Sequence, residues 1–130
     1  MSQRTTEEYL ETIGALEERE RPVSTSAIAQ GMGVSQASVS EMLRRLTDKG
    51  LVEHTPYGGA SLTGEGRTRF LHLTRRHRLW EVFLNRYLGI PWEDVYQYAC
   101  TLEHATSDIV ADRLADFMDN PARLETMQTS

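Results

Sequence analysis

Cysteine is almost missing from this chain. Cys100 stands alone, which excludes an internal disulfide and leaves that residue as a buried apolar filler, a nucleophile or a metal ligand. Long apolar runs are missing as well. No stretch approaches about eighteen uninterrupted apolar residues, and the opening Met-Ser-Gln-Arg-Thr-Thr-Glu-Glu lacks the apolar segment that a secretory signal places behind its charged end. These absences predict a cytoplasmic chain with no membrane association. With 130 residues, 39% of them hydrophobic, the chain can form one core, or two small helical units that share one, but not a large enzyme. There is no internal repeat or low-complexity tract, and no Gly-rich phosphate loop, Gly-x-Ser-x-Gly elbow or His-Glu-x-x-His sequence.

Positive charge is also scarce on average, since the net charge is -5. That average would argue against contact with a phosphate backbone, but the charges are unevenly placed. Residues 36–78 hold eight Lys or Arg against four acids, a balance of +4, and the remainder carries -9. The asymmetry predicts one part that meets an anionic partner and another that gathers carboxylates around cations.

Hydrophobic spacing predicts a helix from about Thr6 to Glu20, with Tyr9, Leu10, Ile13 and Leu16 in register, Thr5 or Thr6 as its cap, and Arg21-Pro22 as its end. A short helix follows from Ser26 to Met32. After the break at Gly33-Val34-Ser35, a third runs from Gln36 to Lys49 with Val39, Met42, Leu43 and Leu46 inward and Gly50 as its stop. Leu51 to Thr55 and Ala60 to Thr63 flank Pro56-Tyr57-Gly58-Gly59 and predict a β-hairpin. Thr63 can cap a long helix that reaches about Tyr87. Gly89-Ile90-Pro91 breaks it, Pro91 opens a helix through Val95, Tyr98 and Leu102, and Ser107 opens a last one that ends at Asn120-Pro121 before a frayed tail.

Three helices, with a tight turn between the second and third, followed by a hairpin, give the order of a winged helix-turn-helix. A recognition helix needs small polar side chains in its first turn so that its backbone can approach base edges, and Ser35, Gln36, Ala37, Ser38 and Ser40 supply them. Arg44 and Arg45 follow where phosphates would pass, and Tyr57 with two glycines makes a compact wing tip. Glu41 is unfavourable beside phosphate, so it either accepts from a cytosine amine or orients a neighbour. The competing interpretation is a capped, solvated helix with wet arginines, which the hairpin disfavours.

Cys100, Glu103 and His104 lie at i, i+3 and i+4, so three residue types that ligate divalent ions project from one helical face. His77 and Glu81 are i, i+4, and Glu8 and Glu11 are i, i+3. Each pair alone more often marks a structural histidine or a solvated face. A small metalloenzyme could use the same residue types to activate water or as a nucleophile, and a winged-helix regulator could sense an organic ligand with this group merely structural.

Three blocks, Thr6-Glu-Glu-Tyr-Leu-Glu-Thr-Ile13, Arg76-His-Arg-Leu-Trp-Glu81 and Ala99-Cys-Thr-Leu-Glu-His104 followed by Ser107-Asp108, together with their spacing, resemble the diphtheria toxin repressor and manganese transport regulator family. The resemblance covers nearly the whole chain. It implies a mostly helical protein: an N-terminal winged helix-turn-helix over 1–64, a helical metal-binding and dimerisation domain over 65–120, and a tail over 121–130. It further implies a metal-dependent repressor, not an enzyme, that binds double-stranded operator DNA as a homodimer and controls metal uptake genes. By position, Glu8, Cys100, Glu103 and His104 fall on the main metal site, and His77, Glu81 and Glu11 on neighbouring metal positions. Ser35, Gln36, Ala37, Ser38 and Glu41 fall on DNA contacts.

The departures bear on the ion. Iron-type members carry methionine in place of Glu8 and histidine in place of Tyr96, whereas manganese-type members carry aspartate at the first of these and glutamate in place of Cys100. A carboxylate in place of a soft thioether favours Mn²⁺, with Fe²⁺ as the alternative, and Cys100 retains affinity for Fe²⁺, Zn²⁺ and Co²⁺. Iron-type chains continue into a third, SH3-like domain, for which little sequence follows Asn120, as a shortened chain would also show. Without metal, Glu8, Glu11, Glu81 and Glu103 would crowd like charges into one cleft, and a divalent cation would draw the first helix and the recognition helix packed on it into place. The dimer is inferred from the family and from Val95, Tyr98 and Leu102, which a monomer would bury internally.

Overall fold

The structure is a computed structural model that describes residues 2–55 and 58–119. The expected wing tip at Tyr57, the stop at Asn120-Pro121 and the tail lie outside the described residues. The chain divides into two compact units, the first Met1–Leu73 and the second beginning at Thr74. Among the described residues no helix is long and apolar enough to cross a membrane.

The first unit contains α1 (Gln3–Leu16), α2 (Thr25–Met32), α3 (Gln36–Asp48), β1 (Val52–Thr55), β2 (Gly59–Leu62) and the start of α4 (Gly64–Arg86). Helix α1 begins earlier than its apolar pattern implies. Ser2 is the cap, its hydroxyl accepting the Thr5 N–H at 3.1 Å, while Thr6 is buried inside the helix. The helix also stops earlier, at Leu16, where the apolar spacing ends and Glu17 takes the C-cap. Arg21-Pro22, with a cis peptide bond, lies in the connection beyond. Ser24 and Ser35 cap α2 and α3 by accepting the N–H groups of Ala27 at 3.0 Å and Ser38 at 3.1 Å, the use for which short hydroxyl side chains are favoured there. Gly33 ends α2 at φ +70°, a left-handed conformation that costs glycine little.

These elements enclose one core. Tyr9, Leu10 and Ile13 of α1, Ile28 of α2, Val39, Leu43 and Leu46 of α3, and Leu51, Val52, Ala60 and Leu62 of the hairpin are all buried, with Met42 and Phe70 packed partly against them. Burial raises the Tyr9 phenol above its ordinary pKa of 10.0. The antiparallel hairpin pairs Val52 with Leu62, Glu53 with Ser61, His54 with Ala60 and Thr55 with Gly59. Val23 adds a bridge to the free side of β2 at Ala60, a pairing that the hydrophobic pattern of one valine could not announce.

Thr63 caps α4 as its position suggests. Its hydroxyl accepts the Gly66 N–H at 3.1 Å and donates to the Gly50 carbonyl at 2.7 Å, locking the helix onto the end of α3. The fit leaves no room for a side chain at residue 66, where a Cβ would stand 2.0 Å from the Leu51 carbonyl oxygen.

The second unit holds the rest of α4, then α5 (Trp92–Ala105) and α6 (Asp108–Asp119). Leu84, Val95 and Ala99 form its buried centre, with Trp80, Ile90 and Leu102 packed against it. The Asn85 amide donates to the Ile90 carbonyl at 2.9 Å and closes the α4–α5 turn. The Trp80 indole donates to Thr106 at 2.7 Å. Arg75 and Arg76 pair with Asp112 and Asp108, fastening α6 to α4.

Gly66→Ala is expected to destabilise the first unit by about 2 kcal/mol, the scale of overpacking against an unyielding neighbour. Urea unfolding followed by circular dichroism checks this, and an unchanged midpoint would contradict the close approach.

Candidate metal centre and DNA-reading helix

The second unit brings His77 of α4 against Cys100 and Glu103 of α5. One ligand atom from each lies within 4.8 Å of the others. His77 Nδ1 stands 3.1 Å from Glu103 Oε1 and 4.0 Å from Cys100 Sγ. Donors around one tetrahedral transition-metal ion sit about 3–4 Å apart, the range in which His77 stands from each of the other two. A His, Cys and carboxylate set suits Fe²⁺, Co²⁺ or Zn²⁺ through its sulfur and nitrogen, and Mn²⁺ through its oxygen.

The surroundings orient these donors. His77 Nε2 lies 3.4 Å from Glu81 Oε2, so each ring nitrogen faces a carboxylate, the arrangement by which a second acceptor fixes a ligating imidazole. The Tyr96 ring meets the His77 ring edge-on at 4.9 Å. The Tyr96 ring therefore packs against a candidate ligand. Glu103 is the deepest member, its side chain 1% exposed against 15% for His77. His104 is half-buried and offers a ligand atom within 4.8 Å of one on Glu103.

Periodicity places Cys100, Glu103 and His104 on one face of α5, and that face is real. What spacing could not supply is the opposing helix: His77, assigned by position to a neighbouring site, shares one cluster with Cys100 and Glu103. Glu8 and Glu11 lie on α1 in the other unit, where Glu8 pairs with Arg4 at 3.3 Å.

On the DNA-reading side, Ser35, Gln36, Ala37, Ser38, Ser40, Glu41, Arg44 and Arg45 are all exposed, and Val39 among them is buried. The first turn of α3 is therefore a small, polar and accessible surface, anchored from beneath by one valine. Ser35 Oγ also donates to Ser38 Oγ at 3.0 Å, which sets both hydroxyls. Glu41 pairs with Arg45 at 3.2 Å on the same helix.

The apolar face expected to serve dimerisation is distributed differently. Val95 is fully buried in its own unit and Leu102 packs on the same core, so only Tyr98 of the three remains exposed. Trp92 and Tyr96 of α5 are exposed as well, and along α4 and α6 the exposed Ile109 and Val110 with the half-buried Phe83, Leu114 and Phe117 line a groove of about 410 Å³.

A winged helix-turn-helix joined to a helical unit built around candidate metal ligands defines a class of DNA-binding regulator. Comparison with known proteins makes the assignment particular. Residues 1–60 match the iron dependent repressor N-terminal DNA binding domain, and residues 63–126 match the iron dependent repressor metal binding and dimerisation domain. An uncharacterised HTH-type transcriptional regulator of Methanocaldococcus jannaschii is 34% identical over 114 residues, which cover 87% of this chain and 91% of that protein. The iron-dependent repressor IdeR of Mycobacterium tuberculosis is 37% identical over 117 residues, 90% of this chain and 51% of that protein. A solved manganese-dependent transcriptional repressor in complex with manganese superposes with a TM-score of 0.74 at 41% identity, covering 84% of this chain and 50% of that one. The chain belongs to the diphtheria toxin repressor and manganese transport regulator family of metal-dependent transcriptional repressors. It spans about half the length of the iron- and manganese-dependent relatives and nearly all of the archaeal one.

Two outcomes are expected. His77→Ala should weaken divalent metal binding by at least about tenfold, the smallest effect usual for groups supporting a site, as read by calorimetric titration. In gel-shift assays Arg44→Ala should weaken binding to all DNA sequences alike, whereas substitutions at Gln36 or Ser38 should change sequence preference; an Arg44→Ala effect on specificity alone would overturn these roles.

Proposed function

We propose that this chain is a repressor activated by Mn²⁺, with Fe²⁺ as the alternative ion, that binds operator DNA as a homodimer and controls genes for metal-ion uptake. The observation that carries the reading is the convergence of His77, Cys100 and Glu103 within ligand distance, in a chain whose first unit exposes a small polar turn at the start of α3. The names of its relatives, iron-dependent in one case and manganese-dependent in another, leave the ion to be argued from donor chemistry. Glu8 supplies a hard carboxylate where iron-type relatives have a thioether, which favours Mn²⁺, while the Cys100 sulfur keeps Fe²⁺, Zn²⁺ and Co²⁺ as binders in solution.

On this reading Cys100, Glu103 and His104 bind metal together with Glu8, and His77, Glu81 and Glu11 complete or flank the site. A bound divalent cation supplies positive charge among carboxylates that otherwise repel one another. Glu8 and Glu11 belong to α1, whose Tyr9, Leu10 and Ile13 share a core with Val39 and Leu43 of the recognition helix. Holding α1 therefore holds α3. In a two-fold dimer the paired recognition helices must stand roughly 34 Å apart to enter successive major grooves. The exposed groove along α4 and α6 is the face we assign to the second copy, because burying Ile109, Val110 and Phe117 removes apolar surface from water.

DNA binding to an uptake-gene promoter, titrated with Mn²⁺, Fe²⁺ and Zn²⁺, tests the reading. Wild type should gain affinity with Mn²⁺ or Fe²⁺ and lose it to a strong chelator. Glu8→Met should shift the preference towards Fe²⁺, and Cys100→Ala should weaken the response to Fe²⁺ and Zn²⁺ more than to Mn²⁺. Operator affinity indifferent to chelation would sink the proposal and favour an organic-ligand sensor.

A further inference from the structure

In an antiparallel pair, alternate residues turn their N–H and C=O groups away from the partner strand. On β2 two of these outward residues are Ala60 and Leu62. Ala60 exchanges both of its bonds with Val23, at 2.7 and 2.8 Å. The Leu62 N–H is taken by a side chain, Glu17 Oε1, at 3.0 Å across 45 positions of sequence.

Glu17 caps the C-terminal end of α1, and its side chain is 5% exposed. Its other oxygen stands 3.0 Å from Arg21 Nε in the turn that precedes α2. A carboxylate so buried is costly unless both oxygens are engaged. Here the engagement joins three segments: the end of α1, the turn before α2 and the last residue of the wing. Beyond the packing of Ala60 and Leu62 in the core, the Val23 bridge alone would tie the outer edge of β2 by its backbone at a single residue. Glu17 adds a second attachment two residues further along.

We propose that Glu17 is a positioning residue for DNA binding, which fixes the wing to the end of α1 so that wing and recognition helix meet DNA as one surface. Because α1 also carries Glu8 and Glu11, a shift of that helix reaches the wing through the same carboxylate. This last step rests on the metal-activated reading above, whereas the positioning role does not.

The test compares wild type, Glu17→Gln and Glu17→Ala in the full chain by fluorescence-anisotropy DNA titration at saturating Mn²⁺, with hydrogen exchange at the Leu62 amide and calorimetric Mn²⁺ titration. Losing a buried acceptor should weaken DNA binding by Glu17→Ala about tenfold and speed Leu62 exchange by a similar factor. Glutamine keeps an oxygen for Leu62, so Glu17→Gln should recover to within about threefold of wild type. Metal affinity should stay within about twofold in both variants, since neither removes a ligand. A folded Glu17→Ala that binds DNA like wild type, or a Glu17→Gln as impaired as alanine, overturns the proposal. Should Glu17→Ala not fold, Arg21→Ala carries the test: it unties the carboxylate from the turn and should weaken DNA binding about threefold, and unchanged affinity with unchanged Leu62 exchange overturns the role. Wild-type binding that ignores Mn²⁺ would instead refute the metal-activated reading while leaving the comparison among variants intact.

Discussion

Keeping a carboxylate out of water costs several kcal/mol unless opposite charge or hydrogen bonds replace the lost solvent. The second unit is organised around that constraint, because Glu103 is buried near the C-terminal end of α5 and could not stand there among aliphatic neighbours alone. His77 meets one of its oxygens at 3.1 Å, Glu81 meets the far side of the same ring, and Cys100 lies across from it. The Leu84, Val95 and Ala99 core, the closed α4–α5 turn and the Trp80–Thr106 bond hold α4 and α5 at the separation this cluster requires. A fold selected only for stability would fill such a position with leucine; acid, imidazole and thiol together are donors that could hold a cation.

The first unit solves a different problem, that of presenting a polar helix end and a hairpin firmly enough to read DNA. Hydroxyls at Ser2, Ser24, Ser35 and Thr63 cap successive helices, so each element starts where its neighbour needs it. The exposed face of α3 is freed for contact because Val39, Leu43 and Leu46 anchor the other face. The hairpin gains rigidity from outside itself, through Val23 and Glu17 on its outer edge. That edge would otherwise leave backbone groups for water or for another chain to satisfy.

Much of this was legible in the sequence because it is local. The hydroxyls that open α4 and α6, the glycine after α2, the alternating hairpin and the i, i+3, i+4 spacing of Cys100, Glu103 and His104 depend on residues within a turn or two of each other. The boundaries of α1 were less legible. Its apolar stripe fixes which face is buried, but the ends are set by Ser2, which lies outside the stripe, and by the loss of packing after Leu16. Glu17 gives no sequence signal at all, since a glutamate at a helix end usually faces solvent.

The sequence by itself determined the order of elements, the winged helix-turn-helix plan and the residue types able to bind metal and DNA, because caps, turns and periodic faces are properties of short segments. Only the tertiary structure decided that His77 joins Cys100 and Glu103, that Val95 belongs to its own core beside an apolar groove along α4 and α6, and that Glu41 pairs with Arg45. The first two depend on which helices face one another, a matter of packing between residues distant in sequence. The last is a choice among partners within one helix's reach, which spacing permits but only side-chain geometry settles.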